Sequence, residues 1–135
     1  MNAIDTNILV YAVDSAYPEK KKVCEKLVSS IFEGKQMAAV TNQILAEFVW
    51  VATRKMQNPL SREDAALFVN AVMSSIYWKV LNYTGDTVCK ALDSSVVFWD
   101  GLIIETLKEN GVRGIITENT RDFSGQGIIV HNPFE

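Results

Sequence analysis

The chain has 135 residues, a length typical of one domain with a sizeable hydrophobic core. Its formal net charge of -3 argues against a basic surface that coats nucleic acid nonspecifically, but not against an enzyme that binds cations at carboxylates. No apolar run approaches the roughly 18 residues of a membrane span. Asp5 comes too early for a signal peptide, and Cys24 and Cys89 lack metal-ligand spacing. We therefore expect one cytoplasmic domain, residues 1–135, with reduced cysteines.

The first third of the chain predicts two strands and two helices. A short apolar segment ends at Asp5 and continues directly into Ile8–Val13, which predicts a buried strand followed at once by a helix. Pro18 begins a second helix with apolar residues at four-residue steps on one face, and Gly34 ends it. Residues 37–40 are a short apolar run and are predicted as the second buried strand.

The middle of the chain predicts two further helices and a third strand. Thr41 or Asn42 caps a helix that runs to about Met56 with an apolar inner face. Ser61 begins a sequence that resembles a capping box at the start of the next helix. Residues 77–81 are predicted as the third strand.

The last third predicts two helices and two strands. A short helix follows Thr84, and another runs from near Trp99–Asp100 to Gly111. Residues 114–117 and 128–130 are predicted as the fourth and fifth strands. Strands that alternate with helices indicate a parallel sheet with right-handed crossovers, and short apolar strands indicate that both faces are covered. We predict a three-layer α/β/α domain around a parallel sheet of about five short strands.

Several acidic residues fall where strands of the predicted sheet end or where the neighbouring residues are apolar. Asp5 ends the first strand, and Glu118 and Asp122 follow the fourth. In a doubly wound sheet the first and fourth strands can be neighbours, so both loops would open on one edge. Glu47 and Asp100 are lone carboxylates among apolar residues, where a charge is costly unless it is paired or faces a cleft.

Four of these five acids also have an explanation that involves no catalysis. Asp5 can cap the first helix, and Asp100 can be favoured by the dipole of its own helix. An ion pair with a nearby arginine can explain the two others, namely Arg54 for Glu47 and Arg121 for Asp122.

The joint interpretation is a cation site at the sheet edge. Carboxylates gathered within a few ångströms repel each other, and a divalent cation removes that penalty. Ligand sets that contain only oxygen select hard ions such as Mg²⁺ or Mn²⁺, whose waters can attack a phosphodiester. His131 is the only histidine, which excludes a metal-free ribonuclease that uses two, and we predict it to be an exposed residue of the C-terminal tail.

Five segments in this order resemble the PIN-domain ribonucleases, especially the toxin of VapBC-type toxin–antitoxin pairs. They span the whole chain: Asp5-Thr6-Asn7, residues 43–48 around Glu47, residues 98–104 around Asp100, residues 116–123, and residues 130–134. The resemblance implies an endoribonuclease that depends on Mg²⁺ or Mn²⁺ and serves as the toxin of a type II pair. It further implies an RNA substrate, a small antitoxin partner and a homodimer.

The resemblance also implies roles for individual residues. Asp5, Glu47 and Asp100 correspond to the catalytic acids of the family, while Thr6 and Asn7 orient the pocket. The fourth acid is Asp122 in our first assignment and Glu118 in our second, with Asn119 as a polar contact. The predicted metal ligands are therefore Asp5, Asp100 and Asp122, with Glu118 as the alternative, and Glu47 holds or deprotonates a water.

Two other functions stay open at this stage. A PIN-like binding module without catalysis is favoured by Asn119, which stands where many relatives carry an acid. A receiver-like signalling domain requires an acidic pair near the first strand, and Asp5 has no acidic neighbour. We therefore rank the receiver last.

Overall fold

Five strands alternate with seven helices in the computed structural model, which describes residues 1–135. In chain order the elements are β1 (Asn2–Ile4), α1 (Thr6–Tyr11), α2 (Pro18–Phe32), β2 (Ala38–Thr41), α3 (Asn42–Arg54), α4 (Arg62–Ser74), β3 (Trp78–Leu81), α5 (Gly85–Leu92), α6 (Phe98–Glu109), β4 (Gly114–Ile116), α7 (Thr120–Phe123) and β5 (Ile129–His131).

The strands form one parallel sheet in the order β3-β2-β1-β4-β5. Ala3 of β1 pairs with Ala39 of β2 on one side and with Ile115 of β4 on the other. The order reverses at β1, so the crevice at the carboxyl ends of β1 and β4 is the switch point where such sheets bind ligands. The structure confirms the predicted parallel sheet and the predicted neighbourhood of the first and fourth strands.

Helices cover both faces of this sheet. Right-handed crossovers place α1 to α4 on one face and α5 to α7 on the other. The packing agrees, because α1 contacts α2 and α3, whereas α5 contacts α6. Phe48 of α3 is fully buried and packs on Phe68 of α4 with ring centroids 4.6 Å apart. Burying large apolar side chains in this way supplies most of the driving force for folding.

Side-chain caps set the starts of four helices. The Asp5 carboxylate accepts a hydrogen bond from Thr6 N–H at the start of α1, and Thr41 Oγ1 accepts one from Ile44 N–H in α3. Ser61 caps α4 alone, whereas Thr84 of α5 forms a complete capping box. Capping satisfies N–H groups that have no partner inside the helix, so it determines where each helix begins.

Two features of the last segment differ from the prediction. The short helix α7 was not predicted, because four residues are too few to show a helical period. His131 is exposed, as predicted, but it is the last residue of β5 rather than part of a tail. Its carbonyl accepts a hydrogen bond from Thr117 N–H at 2.9 Å. An edge strand needs only backbone pairing on one side, so a polar residue fits there.

None of the helices has both the length and the apolar character that a membrane crossing requires.

Candidate active site

The structure places four acids at the carboxyl edge of the sheet. Asp5 directly follows β1, Glu47 lies on α3, Asp100 lies in the first turn of α6, and Asp122 lies on α7. Their charges interact, since the negative charges of Asp122, Asp5 and Glu47 all raise the pKa of Asp100. The polypeptide therefore brings together carboxylates that are far apart in sequence.

Three of these acids line one pocket of about 370 Å³, which we call the acid pocket. Asp5, Glu47 and Asp100 lie in its wall, and Asp122 lies outside it although its charge reaches both Asp5 and Asp100. The uncharged residues in the wall include Thr6, Asn7 and Asn119, all three of which the sequence assigned to supporting roles.

Asp5 is held by hydrogen bonds and is only 6% exposed. Its Oδ1 accepts from Thr6 N–H at 2.8 Å, and its Oδ2 accepts from Thr117 Oγ1 at 2.7 Å. Burial raises the pKa of Asp5, the two hydrogen bonds lower it, and the charges of Glu47 and Asp122 raise it, so that the net shift is upward. Asp5 is thus a helix cap, as the explanation without catalysis predicted. Its raised pKa also shows that burial and the neighbouring negative charges disfavour its ionised form.

Asp100 indicates more strongly than Asp5 that the site lacks a positive charge. Burial and, to a smaller extent, the charges of Asp122, Asp5 and Glu47 together raise the pKa of its carboxyl to about 6. No hydrogen bond to the carboxylate offsets these effects. A negative charge in such surroundings is costly unless a cation neutralises it.

Glu47 is oriented by two side chains. Its Oε1 accepts from Gln43 Nε2 at 2.9 Å, and its Oε2 accepts from Thr6 Oγ1 at 3.0 Å. The alternative ion pair with Arg54 is wrong, because the Arg54 guanidinium stacks on the Trp50 ring, 4.4 Å from its centroid. Arg54 lies about two helical turns beyond Glu47 along α3, so each side chain finds a different partner.

Glu118 is committed elsewhere. It forms an ion pair with Lys20 and accepts a hydrogen bond from the Tyr11 hydroxyl at 2.6 Å. Burial raises the pKa of Glu118, but the hydrogen bonds from Lys20 and Tyr11 outweigh burial and lower it overall. Its charge affects neither Asp5 nor Asp100, whereas that of Asp122 affects both. The electrostatics therefore favour Asp122 over Glu118 as the fourth acid.

Three residues that lie near these acids were not predicted to belong to the site. Thr117 is fully buried, and besides donating to Asp5 its Oγ1 accepts from Asn119 N–H at 2.9 Å and from the Asn7 amide at 3.2 Å. Gln43 stands four residues before Glu47, a spacing that places both on one helix face. Asp14 is 6% exposed, lines the acid pocket and accepts from Ala16 N–H.

Replacing Thr117 by valine tests its role in holding Asp5. Valine keeps the shape but removes one of the hydrogen bonds to the Asp5 carboxylate and leaves the Asn119 N–H without its partner. We expect the free energy of unfolding, measured by urea denaturation, to fall by about 1–3 kcal/mol. Thr106→Val is the matched control, since Thr106 is also buried but its hydroxyl bonds only the Leu102 carbonyl of its own helix. An equal loss in both variants would contradict the assigned role.

The donor set fits a hard divalent cation by its chemistry. The acid pocket offers carboxylate, hydroxyl and amide oxygens, which suit Mg²⁺ or Mn²⁺. No three acidic, histidine or cysteine side chains are grouped closely enough in this conformation to hold one ion. The upward pKa shifts of Asp5 and Asp100 show that a positive charge would relieve the site. Binding an ion through three of the acids would require their side chains to move closer together.

Comparisons with known proteins bear on the fold. No protein family model matches the sequence, and no curated protein matches it. Among solved structures, the chain is similar to VapC20 of Mycobacterium tuberculosis, described as a sarcin-ricin loop cleaving toxin, with 16% identity and a TM-score of 0.69. That match covers 96% of this chain and 97% of the other.

Two further structures are similar over nearly the whole chain. One is FitAcB from Neisseria gonorrhoeae, with 17% identity, a TM-score of 0.69 and coverage of 100% of this chain and 99% of the other. The other is VapBC2 from Rickettsia felis bound to a promoter DNA fragment, with 14% identity, a TM-score of 0.64 and coverage of 97% of both chains. The chain has the fold of the VapC-like PIN domains.

Proposed function

We propose that the protein is a metal-dependent endoribonuclease that hydrolyses RNA phosphodiester bonds. The observation that carries this proposal is the raised pKa of both Asp5 and Asp100, which are partly or fully buried near the charges of Glu47 and Asp122 at the switch point of a PIN-like sheet. Perturbed carboxylates that share a cleft are typical of functional sites, because folding alone gives no reason to gather them.

The residues divide into ligands, a base and supports. Asp5, Asp100 and Asp122 would hold Mg²⁺ or Mn²⁺, and the cation would supply charge neutralisation and polarise the scissile phosphate. Glu47, fixed by Thr6 and Gln43, orients the attacking water and accepts its proton.

The supporting residues act through hydrogen bonds. Thr117 and Thr6 hold Asp5, and the Asn7 amide donates to Thr117. Asn7 also accepts from Glu118 N–H through its Oδ1 at 3.3 Å, which ties the loop after β4 to α1. Asn119 lines the acid pocket and offers a polar side chain to water or substrate. These contacts keep the carboxylates oriented, as precise metal chemistry requires.

Analogy extends the proposal to partners. VapC20 is described as a toxin that cleaves the sarcin-ricin loop, and FitAcB and VapBC2 are named as two-component assemblies. By that analogy residues 1–135 are a single domain that acts on RNA in the cytoplasm. The protein would be the toxin of a type II pair, inhibited by a small antitoxin, and would form a homodimer.

The direct test is RNA cleavage by the purified protein. We expect cleavage of single-stranded RNA in Mg²⁺ or Mn²⁺ and none in excess chelator, with products that end in a 5′-phosphate and a 3′-hydroxyl. Equal cleavage in chelator, or no cleavage with either ion, would contradict the proposal.

Two substitutions test whether Asp122 or Glu118 is the fourth acid of the site. Asp122→Asn removes a charge that acts on both Asp5 and Asp100, whereas Glu118→Gln removes one already paired with Lys20. We expect Asp122→Asn to lower kcat about 10- to 100-fold and Glu118→Gln to change it less than threefold. The measurement is kcat of both variants at saturating Mg²⁺. A larger loss of kcat in Glu118→Gln than in Asp122→Asn would assign the ligand role to Glu118.

A binding module without catalysis is the competing proposal. The observation that favours it is the absence of three acids placed to share one ion in the described conformation. Tight binding of a small protein partner, together with no metal-stimulated cleavage of any RNA offered, would support this alternative.

A further inference from the structure

A second cleft lies beside the acid pocket and is lined by aromatic side chains. It has a volume of about 860 Å³, and its wall includes Trp50, Tyr83 and Trp99. We call it the aromatic cleft. It shares Thr6 and Glu47 with the acid pocket, so the two cavities adjoin. The volume falls within the roughly 300–1,000 Å³ typical of sites for small organic molecules.

The two tryptophans of the cleft are exposed. Trp50 is 52% exposed and Trp99 is 57% exposed, whereas Trp78, the third tryptophan of the chain, is 3% exposed and belongs to the core. Trp99 immediately precedes Asp100, so one turn of α6 contributes both an aromatic ring and an acid of the proposed site. Exposed aromatic rings beside a reactive site are a typical platform for stacking planar ligands.

The cleft also contains a polar group without a partner. The Gln43 amide nitrogen donates to Glu47 Oε1 and to the Trp99 carbonyl at 3.0 Å. Because both of these partners are acceptors, the orientation of the amide is determined, and its oxygen is left without a donor. A buried acceptor in this state is costly, so the wall of the cleft contains an unsatisfied hydrogen-bond acceptor at Gln43.

Positive charge continues the same surface beyond the cleft. A groove of about 550 Å³ between α3 and α4 shares Ala46 and Trp50 with the aromatic cleft and is lined by Arg54 and Arg62. Neither arginine takes part in any of the four ion pairs of the protein. Guanidinium groups without a carboxylate partner can bind phosphate. Acids, aromatic rings and arginines therefore follow one another across adjoining cavities.

We infer that the aromatic cleft binds a base of single-stranded RNA next to the phosphodiester held at the acid pocket. The base stacks on Trp99, and Arg54 and Arg62 contact the phosphates further along the strand. This inference rests on the proposed ribonuclease function, and it adds a base-binding cleft beside the acid pocket and Trp99 as the residue that positions the base. A duplex would keep its bases stacked inside and could not use the cleft.

Binding is measured in Mg²⁺ with a short single-stranded RNA and with Asp5→Asn protein, whose cleavage is expected to be roughly 10²- to 10⁴-fold slower. We expect RNA to quench tryptophan fluorescence, because Trp50 and Trp99 are exposed and Trp78 is not. Adding Trp99→Ala should weaken RNA binding roughly 5- to 150-fold, the range for loss of one stacked base. Trp99→Phe should restore most of the affinity, since phenylalanine keeps a ring.

The control and a second readout separate stacking from general damage. Ile76→Ala removes an apolar side chain that is 75% exposed just before β3, at the opposite edge of the sheet, and should leave RNA affinity unchanged. Arg62→Gln should lower the slope of log affinity against log salt by about 0.7, the value for one phosphate contact on a single strand. A slope equal to that of the Asp5→Asn reference would contradict the phosphate assignment.

The outcomes distinguish this inference from the proposed function. Cleavage by the parent with equal RNA affinity in Trp99→Ala would overturn the inference alone. RNA binding that depends on Trp99, with no cleavage by the parent, would support the inference and overturn the ribonuclease. Absence of RNA-dependent quenching contradicts the inference. So does a Trp99→Ala protein that loses self-association in sedimentation while RNA affinity is unchanged, since the cleft would then join two copies of the chain.

Discussion

Replacing Asp5 by asparagine is expected to lower metal-dependent RNA cleavage roughly 10²- to 10⁴-fold, the range seen when one essential catalytic group is removed. Asparagine keeps one oxygen that can accept from Thr6 N–H or Thr117 Oγ1, but it removes the negative charge that would bind the cation. The measurement is kcat on a fixed single-stranded RNA across a Mg²⁺ titration.

The same substitution should not unfold the protein. The Asp5 carboxylate is buried and lies near the charges of Glu47 and Asp122, so losing its charge removes repulsion. We expect the free energy of unfolding of metal-free Asp5→Asn to equal or exceed that of the parent. Glu33→Gln, which neutralises an exposed acid just after α2, is the control for a general change in charge. Parent-like cleavage by Asp5→Asn, with the same metal dependence, would refute the ligand role.

The second large effect is a pH dependence set by Asp100. Its pKa is raised to about 6, and a protonated carboxyl does not bind a cation. Cleavage should therefore fall about tenfold per pH unit below the midpoint of this titration. Because the cation and the proton compete for Asp100, a higher Mg²⁺ concentration should move the midpoint to lower pH. A midpoint that stays constant over a hundredfold range of Mg²⁺ would contradict the competition.

The stability of the metal-free protein should fall as pH rises, whereas cleavage should increase. The unfolded chain releases the Asp100 proton near the ordinary value of 3.8, whereas the folded protein keeps it until about pH 6. Between these values the folded state binds more protons, so stability falls as pH rises. Asp100→Asn removes this loss and should be more stable than the parent above pH 6 by about 1 kcal/mol, a figure discounted for solvent screening of a partly exposed group.

Urea denaturation in chelator at pH 4 and pH 7 checks this expectation. The difference between Asp100→Asn and the parent should be small at pH 4 and should grow toward pH 7. Asp5 has a raised pKa as well and contributes a change of the same sign, which remains in Asp100→Asn. The lowered pKa of Glu118 contributes a change of the opposite sign, and this change is common to both proteins. A difference between the two proteins that does not grow between pH 4 and pH 7 would contradict the electrostatic account.

The sheet could be predicted because its strands are short apolar runs between helices with clear caps or periods. Each strand lies within one residue of its predicted bounds. The α7 helix and the membership of His131 in β5 could not be predicted, since a single turn has no period and an edge strand accepts polar residues. Helices and strands that bury one face with a regular period can be predicted from the local sequence. Elements without such a period, such as α7, depend on tertiary packing.

The candidate site could be predicted in part for a similar reason. Asp5 and Asp100 stand out as acids at a strand end and within an apolar run, and both lie in the acid pocket. The pairing of Glu118 with Lys20 depends on how α2 packs, and the contact of Thr117 with Asp5 joins residues 112 positions apart. Such contacts arise only when β1 and β4 become neighbours, so no local pattern contains them.

The account depends on one property of the acid pocket, which is that its carboxylates bind a divalent cation together. The most direct measurement is binding of Mn²⁺, followed by electron paramagnetic resonance, to the parent and to Asp5→Asn and Asp100→Asn. We predict saturable binding to the parent and a loss of at least tenfold in affinity in each variant. A parent that binds no Mn²⁺, or variants that bind it as tightly as the parent, would contradict the account.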